Sequence, residues 1–215
     1  TIIDPKASLA YLGATVSDDG RIRGELARRI GSAHADFRAL ERVWKHTSVS
    51  RARKLQIFNT MVTSKLLYGI ASAWLGVPER RRLDGFQNRC LRKLWGIGHS
   101  YVSRISNKSV LETTGQKPYS VQLLRQQLIL FGKVARAPDD SLMRSVTFCP
   151  GSLRAATDRF VRKRGRPRQE WATEVYSRAC AVCGGSGDML THTVVSAASW
   201  KRAVEDYCSR LEKVP

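Results

Sequence analysis

The chain has 215 residues, of which 42% are hydrophobic and 26% charged, and this much apolar sequence can bury a core in one or two domains. Lys and Arg number 37 against 18 Asp and Glu, which gives a formal net charge of +19. The composition therefore excludes a disordered tail, differs from that of an ordinary cytosolic enzyme, and indicates a polyanionic partner.

The positive charge is concentrated in the middle of the chain. Residues 21–170 contain 31 basic and 10 acidic residues. An excess of positive charge that persists over several predicted helices indicates polyanion binding rather than helix faces that are only solvated.

Neither membrane insertion nor secretion is expected. The most apolar segment, residues 66–77, is shorter than the roughly 20 residues that a spanning helix needs, and the start of the chain lacks the pattern of a secretory signal. Five scattered cysteines are more typical of a reducing compartment than of a disulfide framework. We therefore expect an intracellular protein, with the nucleus and an organelle both open.

The first predicted elements are a strand and two helices. Residues 9–16 favour a strand. A basic amphipathic helix over residues 22–44 follows, because apolar residues recur there every three or four positions. A second helix is predicted from residue 51 to about residue 75, and its second half is apolar nearly all round, which is typical of the centre of a bundle.

The third predicted helix, residues 78–95, carries many positive charges. Its apolar positions are Leu83, Phe86, Cys90, Leu91 and Leu94. Six cations are expected on its exposed face, namely Arg80, Arg81, Arg82, Arg89, Arg92 and Lys93. Glycines at 96 and 98 end the helix.

The remaining chain predicts shorter helices and one irregular stretch. The helices lie around residue 110 and over residues 118–136, 170–178 and 194–211. Between them, the chain loses its helical period and gathers Pro, Gly and Arg, which predicts a linker or extended arm. The sequence thus predicts an all-α fold with three parts: a basic helical domain over residues 1–138, an arm over 139–168, and a small helical C-terminal region over 169–215.

Catalytic motifs are not visible. The adjacent acidic pairs, Asp18-Asp19 and Asp139-Asp140, each sit beside Gly or Pro, which favours turns over a metal-binding carboxylate cluster. Walker, His-Glu-x-x-His and Gly-x-Ser-x-Gly patterns do not occur in the sequence. We expect no cofactor and no chemistry of the chain's own.

A cysteine pair near the C-terminus resembles half of a zinc site. Cys180-x-x-Cys183 has the first spacing of such a site, and His192 and Cys208 are further candidate ligands. The second half is loosely spaced, and Cys208 lies on a predicted helix where its thiol can simply be packed. The pattern favours unliganded cysteines over zinc.

The predicted arm contains Arg-Gly-Arg-Pro, the core of an AT-hook. Gly and Pro keep this segment thin, so Arg164, Arg166 and Arg168 can enter a narrow minor groove. A phosphate-binding arm and an ordered linker are the alternatives.

Candidate nucleic-acid contacts are the cations of the basic helices, one loop and the arm, because helix-borne Arg and Lys bind backbone phosphates in RNA and DNA alike. They are Arg28, Arg38, Arg42, Lys45, Arg80, Arg81, Arg82, Arg89, Arg92, Lys93, Arg104, Arg164, Arg166 and Arg168. Tyr101, next to Arg104, and Tyr119, next to Lys117, are candidate base-stacking residues.

A series of short blocks occurs in a fixed order along the chain. They are Tyr11-Leu12-Gly13, Asp19-Gly20, Glu25-Leu26, Arg29-Ile30, Lys54, Met61-Val62-x-x-Lys65-Leu66-Leu67-Tyr68-Gly69, Trp74, Leu83-x-x-Phe86, Leu91-Arg92-x-Leu94-x-Gly96-Ile97, Ser106-Asn107 with Leu111, Leu130-Phe131-Gly132 with Arg136, and Arg164-Gly165-Arg166-Pro167 followed by Trp171. This order resembles the thumb and C-terminal connecting region of reverse transcriptases from non-LTR (LINE-type) retrotransposons, over about residues 9–175.

The resemblance implies a helical thumb that grips a template–primer duplex by its backbone, without the family's fingers, palm or endonuclease. We therefore expect a non-catalytic nucleic-acid-binding protein related to that thumb, with RNA or an RNA–DNA duplex as partner. Two alternatives stay open. One is a fragment of an active RNA-directed DNA polymerase, and the other is a structural subunit of a large ribonucleoprotein or other multi-subunit complex.

Overall fold

The protein is mostly helical, as a computed structural model shows for residues 8–11, 13–17, 22–156 and 170–213. The all-α prediction is confirmed. The helices are α1 (Arg23–Ala39), α2 (Glu41–Lys45), α3 (Arg51–Phe58), α4 (Ser64–Leu67), α5 (Val77–Trp95), α6 (Ser100–Ser103), α7 (Asn107–Thr114), α8 (Tyr119–Ala135), α9 (Leu142–Thr147), α10 (Trp171–Val182), α11 (Gly187–Val195) and α12 (Ala197–Lys213). A π-helical turn, Asn59–Thr63, joins α3 to α4, and a 3₁₀ turn, Ile70–Ser72, follows α4.

Serine caps fix the start of several helices. The Ser50 hydroxyl accepts a hydrogen bond from the Arg53 amide at 3.3 Å, and the Ser106 hydroxyl accepts one from Ser109 at 3.0 Å. Each bond satisfies a backbone donor that has no partner within the helix. The second predicted helix therefore begins at the predicted residue, and α7 covers the helix predicted around residue 110.

A β-hairpin occupies the region where one strand is predicted. Its strands, β1 (Ser8–Tyr11) and β2 (Ala14–Ser17), are antiparallel, with Tyr11 opposite Ala14. Gly13 lies in the turn with φ +79°, a backbone conformation that glycine adopts without steric cost.

The chain divides into two compact units. Unit 1 consists of the described residues up to Ile70 together with Val77–Ser120, and unit 2 consists of Ala71–Gly76 together with the described residues from Val121 onward. This division differs from the predicted boundary at residue 138, because α8 contributes its apolar side chains to the core of unit 2.

Unit 1 is built on α1, the α3–α4 segment and α5. Phe37 of α1 stacks on Trp44 with ring centres 5.2 Å apart and meets Phe58 of α3 edge-on at 5.9 Å. The α3–α4 segment runs antiparallel to α1, since the Lys54 ammonium donates to the Trp44 carbonyl oxygen at 2.7 Å and Lys65 pairs with Asp36 at 2.7 Å.

A buried glutamine ties the chain after α7 to α5. The Gln87 side chain donates to the Lys117 carbonyl oxygen at 2.8 Å and accepts from the Tyr119 amide at 2.8 Å. Asp84, one turn earlier on α5, accepts from the Ser120 amide at 2.8 Å. Burial raises the pKa of Asp84 above its ordinary value despite these bonds.

Unit 2 packs α8 against α10–α12 and the α9 region. Phe131 of α8 lies 5.4 Å from Phe148 and 5.9 Å from Trp200 of α12, measured between ring centres. The Trp200 indole N–H donates to the Leu128 carbonyl oxygen at 2.8 Å. Trp171 likewise donates to the Ala71 carbonyl oxygen at 2.7 Å, which fixes the segment 71–76 to this unit.

Further predicted segments differ in the structure. The helix predicted over residues 22–44 is divided at Leu40 into α1 and α2. The second predicted helix ends at Leu67 rather than near residue 75, because Gly69 takes φ +71° and turns the chain. Within the predicted arm, residues 139–156 include α9 and bury Phe148, Leu153 and Ala156 in unit 2. This part of the arm is a packed element, and residues 157–169 lie outside the described part of the chain.

Over the residues that the structure describes, none of the helices combines the length and apolar character that crossing a membrane requires.

Candidate nucleic-acid interface

Among the described residues, most of the excess positive charge lies in unit 1. Residues 22–70 and 77–120 contain 19 basic and 6 acidic residues, whereas the described part of unit 2 contains 10 basic and 8 acidic residues. Unit 1 is therefore the strongly charged body, and the described part of unit 2 is close to neutral.

Most acidic groups of unit 1 are engaged within the protein. Glu25 and Asp36 pair with Arg29 and Lys65. Glu41 and Glu79 pair with cations of neighbouring helices, and Asp84 accepts from a backbone amide. Because these carboxylates are held by the fold, exposed guanidinium and ammonium groups dominate the surface charge.

Helices α1 and α5 lie side by side and run in the same direction. Near their N-terminal ends, Arg23 Nε lies 3.5 Å from Glu79 Oε1. Near their C-terminal ends, Lys93 Nζ lies 6.0 Å from the centre of the Phe37 ring. Two contacts at opposite ends thus fix a continuous surface formed by both helices.

One side of α5 carries a row of cations beside α1. Arg82, Arg89 and Lys93 are spaced by seven and four residues, so they project from the same side of the helix. Arg82 and Arg89 are exposed, and their Cα atoms are about 10 Å apart along the axis at 1.5 Å per residue. Among the described residues, no ion pair involves either of these arginines.

Helices α1 and α2 add cations to this surface. Arg38 is exposed and lies seven residues after the exposed Gly31, on the solvent side of α1, and Arg42 of α2 is also exposed. We call the set Arg38, Arg42, Arg82, Arg89 and Lys93 the basic face. Arg81 is exposed on α5 as well.

Two of the predicted phosphate contacts, Lys45 and Lys93, are partly neutralised by Glu41. Glu41 lies 3.1 Å from Lys93 and 3.2 Å from Lys45. Hydrogen bonds from Lys93 and then Lys45 lower the pKa of the Glu41 carboxyl, so it stays ionised beside both cations. Arg38, Arg42, Arg82 and Arg89 are therefore the stronger candidates for phosphate binding.

Arg92 is a correction to the predicted exposed face. Its side chain is only 7% exposed, and its guanidinium donates to the carbonyl oxygens of Gly98 at 2.9 Å and Ile105 at 2.6 Å. It also donates to Ser103 Oγ at 3.3 Å and Asn107 Oδ1 at 3.0 Å. These acceptors lie in the segment after α5, from Gly98 to the first residue of α7. Arg92 therefore organises that segment and is not available to a phosphate.

Arg28 is engaged in an ion-pair network at the start of α1. Glu25 accepts from Arg28 at 2.8 Å and from the buried Arg29 at 2.5 Å. Both arginines also donate to the Gly13 carbonyl oxygen, at 2.7 and 3.2 Å. The network holds the β-hairpin against α1, and Arg28 is half-exposed at its edge.

A cavity of about 350 Å³ adjoins this network. Arg28, Arg29 and Lys65 line it, but Glu25 and Asp36 neutralise much of their charge. The cavity is therefore a weaker anion site than the basic face.

The other predicted cations and the two predicted stacking residues differ in exposure. Arg80 is half-buried near Asp84, and Arg104 is exposed after α6. Tyr101 is 81% exposed, as a stacking residue requires. Tyr119 is wholly buried, with its hydroxyl 2.5 Å from Thr63 Oγ1, so its assignment as a stacking residue is corrected.

Exposed cations outside the predicted set extend the charge of unit 1. Arg51 and Arg53 lie in the first turn of α3, and Lys108 lies on α7. The Ser50 cap marks the exposed first turn of α3 in the sequence and is the signal that points to the two arginines.

The candidate zinc ligands do not converge. His192 is exposed, Cys208 is buried, and burial raises the pKa of the Cys183 thiol, which contacts the Thr193 hydroxyl. In the described ranges, no group of three or more His, Cys, Asp or Glu side chains is arranged to hold a metal ion. The spacing Cys180-x-x-Cys183 thus lacks its second half in three dimensions.

The remaining predictions fall partly outside the described residues. Asp139 is exposed and pairs with Arg144 at 2.6 Å. Arg164, Arg166 and Arg168 of the AT-hook-like segment and the acidic pair Asp18-Asp19 lie in ranges that the structure does not describe.

Comparison with protein-family models, curated proteins and solved structures finds no match to this chain. The charge and geometry of unit 1 are therefore the basis for assigning a function.

Proposed function

We propose that this protein binds nucleic acid through the basic face of unit 1. The observation that carries the proposal is the pair Arg82 and Arg89, which are exposed two turns apart on α5 and have no ion-pair partner among the described residues. Guanidinium groups at such intervals bind phosphate oxygens with little dependence on base sequence.

The proposal extends to the kind of nucleic acid. A resemblance to a reverse-transcriptase thumb points to RNA or an RNA–DNA duplex, gripped by its backbone. The described acidic residues of unit 1 are engaged with cations or backbone amides in most cases, which supports a binding role without chemistry of its own.

Salt dependence of binding tests the proposal. For about six phosphate contacts, affinity should fall roughly a thousandfold between 50 and 200 mM salt. The double variant Arg82→Glu/Arg89→Glu should bind more weakly and with a shallower salt dependence. The slope of log affinity against log salt concentration decreases in magnitude by about 0.9 for each phosphate contact removed.

A matched variant controls for net charge. Lys201 and Arg202 are exposed on α12 of unit 2, and Lys201→Glu/Arg202→Glu changes the total charge by the same amount. We expect this variant to retain near-normal affinity. A salt slope near zero for the unmodified protein, or equal losses in the two double variants, would overturn the proposal.

A fixed subunit of a ribonucleoprotein is a second candidate function. It is favoured by α9, where Leu142, Met143 and Val146 are exposed on one side of the helix, as expected of a protein-contact surface. Purification from the native source distinguishes the two functions, since a fixed subunit co-purifies with its partners at constant stoichiometry.

A further inference from the structure

The loop after α5 presents aromatic and apolar side chains to solvent. Tyr101 is 81% exposed, Val102 68% and Ile105 39%. The His99 and Tyr101 rings are stacked, with centres 5.6 Å apart and planes inclined by 9°. Large side chains at such exposure in so short a segment form an unpartnered surface within unit 1.

This surface is held in place by the buried Arg92. Its guanidinium donates to acceptors at both ends of the loop, Gly98 and Ile105. Backbone bonds within α6 add to this, since the amides of Val102 and Ser103 donate to the His99 carbonyl oxygen at 2.9 and 2.8 Å. A pre-organised surface loses less conformational entropy when it binds a ligand.

The charge around the loop matches a nucleic acid. Residues 98–110 contain Arg104 and Lys108 and no acidic residue, and both cations are exposed. Aromatic side chains next to cations are the combination that binds single strands, because bases stack on the rings while cations bind the backbone.

We infer that the loop 98–105 is a stacking platform for a nucleobase with an uncovered face, either in an unpaired strand or at the end of a duplex. Tyr101, supported by His99, meets the base, and Arg104 meets a neighbouring phosphate. Bases inside a continuous duplex are covered on both faces and cannot use the platform. This inference rests on the proposed function and adds a preference for strand ends and unpaired segments.

Two RNA–DNA substrates test the inference. One is a duplex closed by loops of non-nucleotide linker at both ends, and the other is the same duplex with one end open and a four-nucleotide overhang that carries 2-aminopurine. The unmodified protein should bind the overhang substrate about tenfold more tightly. Stacking on Tyr101 should also change the 2-aminopurine fluorescence.

Variants of exposed tyrosines isolate the platform. Tyr101→Ala should abolish the preference and the fluorescence change while leaving affinity for the closed duplex unchanged, and Tyr101→Phe should retain both. Tyr68 is another exposed tyrosine of unit 1, at 66%, so Tyr68→Ala is the matched control and should behave like the unmodified protein.

The outcomes separate this inference from the proposed function. If the unmodified protein binds neither substrate, the proposed function itself fails. If it binds both in a salt-dependent manner without a Tyr101-dependent preference, only the platform is overturned. Vesicles of phosphatidylserine and phosphatidylcholine form a third arm. If Tyr101→Ala abolishes binding to these vesicles but leaves the overhang preference unaffected, the platform is overturned in favour of a membrane contact.

Discussion

The guanidinium of Arg92 donates a hydrogen bond to the carbonyl oxygen of Ile105 at 2.6 Å, thirteen residues further along the chain. This contact connects the last turn of α5 to the end of the exposed loop. An arginine that donates to this many acceptors stabilises a backbone conformation that has few partners of its own, because each loop carbonyl oxygen that accepts from the guanidinium would otherwise need water.

Replacing Arg92 with methionine should destabilise unit 1. The change removes the donors to the carbonyl oxygens of Gly98 and Ile105, and the loss of these partly buried, charged hydrogen bonds costs about 2–4 kcal/mol in total. Urea unfolding measures the loss. Arg89→Met, one turn away on the exposed side of α5, is the control and should change stability by no more than about 0.5 kcal/mol. Equal effects of the two variants would contradict the structural role of Arg92.

Glu25 should make unit 1 sensitive to acid. Burial raises the pKa of this carboxyl, but hydrogen bonds from Arg28, the Thr15 amide and Arg29 outweigh burial and lower the pKa to about 2, from 4.5 in the absence of interactions. Because the folded pKa is depressed, the stabilisation is present above about pH 4.5 and is lost as the pH falls toward 2. The total contribution of this shift to the free energy of unfolding is about 3 kcal/mol. Urea unfolding at pH 5.5 and pH 3 should show the loss of part of it.

Two glutamate variants check the acid effect. Glu25→Gln cannot ionise, so its stability at neutral pH should be lower and should change less between pH 5.5 and pH 3. Glu112 is exposed on α7, and Glu112→Gln should retain the pH dependence of the unmodified protein. An unchanged pH dependence in Glu25→Gln would show that other groups cause the acid loss.

Two helical glycines should respond to alanine with opposite signs. At Gly132 of α8, a Cβ would overlap the indole ring of Trp200 and lie 3.1 Å from Arg136, so Gly132→Ala should destabilise by about 1–3 kcal/mol. At Gly85 of α5, a Cβ meets open space, so Gly85→Ala should stabilise by about 0.5–1 kcal/mol through helix propensity. Thermal unfolding of the two variants measures both signs, and stabilisation by Gly132→Ala would show that Trp200 can move at little cost.

The backbone of Arg104 should be strained. Its φ is +53°, in the left-handed region that costs an L-residue about 1–2 kcal/mol. We expect Arg104→Gly to be about 1 kcal/mol more stable than Arg104→Ala, because both variants lose the guanidinium and only the glycine relieves the strain. Urea unfolding compares them, and equal stability would show that the loop accommodates the positive φ without strain.

The sequence by itself determined the helical character and the location of the charge. The periods of three and four residues along α1, α5 and α8 depend only on local geometry, and so does the cap at Ser50. They predict α5, α8 and the start of α3 closely, whereas the helix predicted over residues 22–44 breaks at Leu40. The exposure of Arg82 and Arg89 follows from the same period, since both lie opposite the apolar positions of α5.

Only the tertiary structure decided which residues at the edge of a helix's apolar stripe are buried. Arg92 stands at the edge of the apolar stripe of α5, and its burial depends on a loop that folds over it from residues further along the chain. Tyr119 and the apolar side chains of α8 have the same local pattern, yet Tyr119 enters unit 1 and Phe131 enters unit 2. A periodic pattern shows that the apolar side of a helix must pack against another element. Which element it packs against is set by long-range contacts, which the local sequence does not encode.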